Sequence, residues 1–246
     1  IINLILEIAQ YLSEKKLAVM LANPMVMVMN FFEFMSFVVG LIYWKKFKNS
    51  YLKWFILFLG YNFLNEIVAA VFYVFEWVKY SNIIFFNFRY LIYFVLLFSL
   101  FYGQLSNQKF KRATLGLLIV WLVIYAYWFF TNTIWIHFAL IPGIVGGFFL
   151  MGIILLYFVE SINQRSVSGI QTDFFTYLSL GLLLESVVQL PVLITIFVGW
   201  SQLTDATDVR NTFFNTIKQV SHIASCFMYL VFMYGFYRSK GPELIY

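Results

Sequence analysis

Seven long apolar stretches occupy most of this 246-residue chain, and several of them carry a charged residue near the middle. They run over 25–44, 53–73, 83–102, 113–131, 135–158, 174–198 and 213–236. Each is about the 20 mainly apolar residues that a membrane-crossing helix requires. The pattern predicts an all-α polytopic membrane protein, a single bundle of seven transmembrane helices over residues 25–238.

Composition agrees. The chain is 63% hydrophobic and only 11% charged, whereas charged residues make up about a quarter of an ordinary soluble domain. Its length is expected to suffice for one such bundle without a separate soluble domain. The net charge of +5 raises the question of a nucleic-acid partner, but the basic residues are distributed as a topology signal, so none is expected. The lone Cys226 excludes an internal disulfide and a cysteine-based metal cage.

Alternate connections differ sharply in charge. One set holds Lys45, Lys46, Lys48, Lys53, Lys109, Lys111, Arg112 and Arg165, continued by Arg238 and Lys240. The other holds Lys79 and Arg210, with Lys15 and Lys16 in the N-terminal segment. Cytoplasmic loops collect Lys and Arg, which predicts the N-terminus outside and residues 239–246 as a cytoplasmic tail. Trp44, Trp54, Trp77, Trp135 and Trp200 fall near the expected span ends, where amphipathic rings anchor at the headgroups. Residues 1–16 begin IINLILEIAQYL, too short to span and without the basic start of a signal peptide. Ile1, Leu4, Ile5, Ile8 and Leu12 share one helical face, which fits a short amphipathic interfacial segment or a partly buried terminus.

The intramembrane polar residues are the functional signal. A charge at bilayer depth costs about 2.5–3.5 kcal/mol on insertion scales, so such residues usually face a protein or water-lined interior. Glu33, Glu66, Arg89, Glu185 and Lys218 each lie inside an apolar run. On the last span Asn211, Asn215, Lys218, His222, Ser225 and Tyr229 recur every three or four residues as one polar seam. The second span adds Asn62 and Asn65, the third Tyr90 and Tyr93, and the sixth Ser186 and Gln189 just before Pro191. At about 1.5 Å rise per residue, Glu33 and Glu185 fall near mid-depth, while Glu66, Arg89 and Lys218 lie progressively outward. These residues are expected to converge in the outer half of the bundle, with Arg89 and Lys218 compensating the acids. Polar side chains also hold membrane helices together without any ligand. Gly143, Gly146 and Gly147, after Pro142, read as a surface for close helix approach. The fourth span has no polar stripe, and its Trp121, Tyr125 and Trp128 read as peripheral.

Sharper chemistries fail on the residues present. A three-histidine zinc site is impossible with only His137 and His222, and these two lie at different depths, which argues against a shared haem. No Gly-rich phosphate loop or GxSxG elbow occurs. Ser221 and His222 are adjacent and so splay apart around a helix. A retinal Schiff base on Lys218 is the one specific cofactor alternative. Against it, the lysine lies well toward the outer face and the third span offers Arg89 where an acid would be more useful. No cofactor and no metal are expected.

From the second span onward, LNEIVAAVFY (64–73), NIIFFNFRYLIYFVLLFSLFY (82–102), IPGIVGGFFLMGIILLYFVESI (141–162), FFTYLSLGLLLESVVQLPVLI (174–194) and SHIASCFMYLVFMYGF (221–236) resemble a seven-helix membrane family common in Bacteroidota. The resemblance implies the topology and a bacterial inner membrane, and brings no assigned activity with it. Many members have a glutamate on the third helix where this chain has Tyr93. The expected function is a receptor-like or sensory module with a small polar pocket, a small-molecule ligand and a membrane or cytoplasmic signalling partner. A proton-coupled secondary transporter is the alternative. An intramembrane enzyme or a structural subunit of a membrane complex comes third.

Overall fold

The computed structural model describes residues 24–74, 82–164, 172–203, 205 and 207–239. The N-terminal segment 1–16, most of the 239–246 tail, and the residues Trp77, Lys79 and Arg165 lie outside the described residues. Seven described helices are long and apolar enough to cross a membrane: α1 (Pro24–Ile42), α2 (Leu52–Val74), α3 (Ile83–Gln104), α4 (Gln108–Thr131), α5 (Leu140–Gln164), α6 (Phe174–Phe197) and α7 (Val209–Arg238). No strand occurs among the described residues. The protein is an all-helical integral membrane protein by this architecture.

Consecutive helices pack as neighbours, and α7 packs against both α6 and α1, closing a ring. The ring is made of α1, α2, α3, α5, α6 and α7, because α3 and α5 also touch each other directly. Helix α4 lies outside, against α3 and α5. It is peripheral as a helix, but its three large aromatics are not. Trp121, Tyr125 and Trp128 are buried, since their spacing of four and three residues puts them on one stripe facing the α3–α5 seam.

Lipid is as apolar as leucine, so close packing and hydrogen bonds must hold these helices together. The glycines of α5 do the first. A Cβ on Gly146 would lie 2.6 Å from both Phe94 Cζ and Trp121 Nε1, and one on Gly143 would lie 2.7 Å from Tyr90. A Cβ on Gly147 would meet Leu190 of α6 at 2.7 Å. These contacts bear out the packing role expected of the α5 glycines. Helix α6 ends at Gly199, whose φ of 83° is the left-handed conformation glycine adopts without strain.

Asn87 supplies the hydrogen bonds at one end of the bundle. Its Nδ2 donates to the carbonyls of Ile134 and His137, each at 2.9 Å, and its Oδ1 accepts from Ala139 N at 3.0 Å. Tyr125 donates to the Asn87 carbonyl at 3.0 Å, and Trp121 Nε1 to that of Pro142 at 2.9 Å. One buried amide thus shapes the turn between α4 and α5. This corrects the fifth span, expected from residue 135: residues 135–139 belong to the turn, and the helix begins at Leu140.

The opposite end carries the lysine-rich connections. There Lys46 Nζ donates to the carbonyls of Phe236 and Tyr237, at 3.0 and 3.3 Å, satisfying groups that the last turn of α7 leaves open. Burial lowers the pKa of this ammonium. The Asn107 side chain caps α4 by accepting from Lys109 N at 2.9 Å, and Glu160 of α5 accepts from Asn107 N at 3.1 Å. The Asp173 carboxylate caps α6 at Phe175 N and accepts from Tyr157 at 3.0 Å. Glu160 and Asp173 sit at span ends, where sequence reading takes acids for loop residues.

Candidate functional site

A cavity of about 280 Å³ lies inside the ring, lined by all six ring helices and by no described residue of α4. Its polar lining comes from the faces that had to turn inward. Glu33 stands at the middle of α1, and Asn62 and Glu66 lie one turn apart on α2. Arg89 and Tyr93 do the same on α3, and Glu185 and Gln189 on α6. Residues four apart share a helix face, so α2, α3 and α6 each deliver two polar groups at two depths.

Glu66 and Arg89 form an ion pair between α2 and α3. Both lie toward the end of the bundle that carries the Asn87 turn. Their side chains are 20% and 25% exposed, whereas Glu33 is 2% exposed. The cavity is therefore graded, with an ion pair nearer one end and a deeply buried carboxylate at mid-depth. The Arg89 guanidinium also rests over the Phe86 ring, 5.0 Å from its centroid. It acts electrostatically on Glu33 and Glu185 as well as on Glu66. Arg89 is the one permanent cation among the described lining residues, and it faces three carboxylates.

The Tyr229 hydroxyl and the Asn62 amide lie against the Glu33 carboxylate, while Asn62 Oδ1 is buried without a partner. Tyr93 stands between the rings of Phe58 and Phe94, with centroids 5.9 and 5.0 Å away. His222 lines the cavity with its Nε2 buried and unpartnered. Ser221 donates to Gln189 Oε1 rather than to His222, so no serine–histidine pair is formed. Met29, Phe55, Leu59 and Phe232 make up part of the apolar wall.

Eight of the eleven expected site residues line this cavity: Glu33, Asn62, Glu66, Arg89, Tyr93, Glu185, Gln189 and His222. Asn65 is buried on α2 outside the lining, and its Nδ2 has no partner. Asn215 and Lys218 are corrections. Both are exposed, and Asn215 donates to Asn211 Oδ1 at 2.9 Å along the helix surface. The reason is length. Helix α7 has 30 residues, about 45 Å at helical rise, against about 30 Å of hydrocarbon. Its first turns overhang the bundle, and Lys218 lies about 30 Å from Arg238 by the same rise. The Asn–Lys part of the seam thus lies on the exposed first turns of a long helix. Lys218 neither compensates the acids nor points a Schiff-base nitrogen into the cavity. Ser186, Ser221, Ser225 and Tyr229 line it as well. All but Ser221 stood in the sequence stripes, and Ser221 is simply the residue preceding His222.

Among the described residues no three His, Cys, Asp or Glu side chains converge closely enough to hold a metal ion. No family model, curated protein or solved structure matches this chain.

Proposed function

We propose that this chain is a receptor-like or sensory membrane module that binds a small ligand in the ring cavity and passes the event to a partner at its lysine-rich end. The observation that carries this reading is the partition of charge inside the cavity. Arg89 is ion-paired with Glu66, while Glu33 and Glu185 from two other helices face the same space and form no ion pair among the described residues. Such groups are expensive to keep within a membrane, and intramembrane ionisable residues are functional candidates for that reason. Helices α1 and α6, which carry Glu33 and Glu185, and α7, which packs against both, are the elements a ligand would draw together.

The charge asymmetry supports a cytoplasmic lysine-rich end, and a bacterial inner membrane is part of the same reading. A cysteine placed at the exposed Gln108 in a Cys226→Ser background reports the orientation in intact cells. It should react only with permeant maleimides. Labelling by an impermeant reagent would invert the topology.

A secondary transporter is the second reading, favoured by the mid-depth position of Glu33 and Glu185, where alternating access places coupling sites. Flux separates the two. In proteoliposomes with an imposed pH gradient, the receptor reading expects no solute uptake and no proton leak above protein-free vesicles, while ligands raise the unfolding temperature by mass action. Saturable, gradient-driven uptake that disappears in Glu185→Gln would establish transport instead.

A further inference from the structure

Resting on the reading of the cavity as a ligand site, we propose that its ligand is a small organic monocation, a protonated amine carrying a compact apolar group. The groups left over in the cavity are acceptors apart from His222 Nε2, which accepts or donates according to its tautomer. Asn62 is 9% exposed and lines the cavity with its Oδ1 free. Glu33 lies beside it, and Glu185 has neither a hydrogen bond nor an ion pair among the described residues. A buried acceptor without a donor is destabilising, and three carboxylates share the cavity with one permanent cation. A ligand that brings N–H donors and a positive charge removes both penalties. An anion would add a like charge beside Glu33 and Glu185, because the Arg89 guanidinium is already engaged by Glu66.

The remaining wall determines the rest of the ligand. Phe55, Phe58, Tyr93 and Phe232 offer ring faces, which attract cations and pack apolar groups. A bare divalent cation finds no converging trio of ligands among the described residues, and a monovalent ion would fill only a fraction of about 280 Å³. The N–H donors of an ammonium suit Asn62 Oδ1 and the Glu33 carboxylate beside it, with Glu185 adding negative charge to the same cavity and the apolar group against the aromatic wall.

The test uses the full chain in detergent and a matched set of probes: phenethylammonium, 2-phenylethanol, phenylacetate and potassium chloride. Thermal unfolding should shift upward, saturably, with phenethylammonium and not with the other three. Its apparent affinity should fall about tenfold or more in Glu185→Gln, which removes a charge from the site. Asn62→Leu, which removes the free acceptor and leaves every charged residue in place, should weaken it by a smaller factor. If Glu185→Gln fails to fold, Asn62→Leu carries the comparison. Equal stabilisation by the alcohol, the acid or the potassium salt overturns the cationic class while leaving a ligand-binding cavity in place. No shift with any probe, or a shift unaffected in the variants, overturns the inference outright, and the flux measurement then judges the receptor reading separately.

Discussion

Arg89→Gln destabilises the detergent-solubilised protein by about 3–5 kcal/mol, the range for stranding buried charges, and does so more severely than Glu66→Gln. The asymmetry follows from the count of charges in the cavity. Removing Glu66 leaves a cation that still faces Glu33 and Glu185. Removing Arg89 leaves three carboxylates and no permanent cation among the described lining residues. The double variant Glu66→Gln/Arg89→Gln should be milder than Arg89→Gln alone, because one of the stranded charges goes with it. Arg89→Lys keeps the charge but lacks the planar fork, so it rescues only in part. Unfolding in a graded series of denaturing detergent checks the order. Equal losses for the two single variants would show that Arg89 serves Glu66 alone.

The second large effect belongs to Asn87, two residues before Arg89 but outside the cavity lining. Its side chain satisfies the carbonyls of Ile134 and His137 and the Ala139 N–H while only 2% exposed. Each such bond contributes about 1 kcal/mol net, and an abandoned buried partner costs more. Asn87→Leu should therefore lose on the order of 3 kcal/mol. Asn87→Asp, nearly the same shape, should be no better, since it replaces both N–H donors with an oxygen aimed at two carbonyls. Unfolding measured for the pair against the parent checks this, and a fully stable Asn87→Asp protein would mean that the turn is held by other contacts.

The two residues also show where sequence reading succeeds. The Glu66–Arg89 pair was legible because charges in apolar runs are costly, and a short connection makes α2 and α3 neighbours. Most span boundaries were legible from hydropathy alone. Asn87 was not, because an asparagine near a span start looks like the many polar residues that flank a membrane. Only the path of the 132–139 turn reveals its three partners. Lys218 failed for the opposite reason. Periodicity places it on the same stripe as His222, but periodicity carries no information about where the bilayer stops, and α7 continues beyond it. Trp121 and Tyr125 were read from a helix that lines no cavity. Their burial depends on α3 and α5 being close enough to form a seam, which the α5 glycines permit.

The ring closes between α1 and α7, the first and last of the described spans, and this has a consequence for how the protein is made. A ribosome delivers α1 long before α7, so Glu33 enters the membrane on a helix whose later neighbour, with Tyr229, has not been synthesised. A lone carboxyl group at that depth carries a penalty of about 2.5–3.5 kcal/mol, borne through the insertion of five further spans. Closure is thus a late event in biogenesis, and a chain halted before α7 would hold an unsealed acidic groove open to lipid, to insertion chaperones and to membrane proteases.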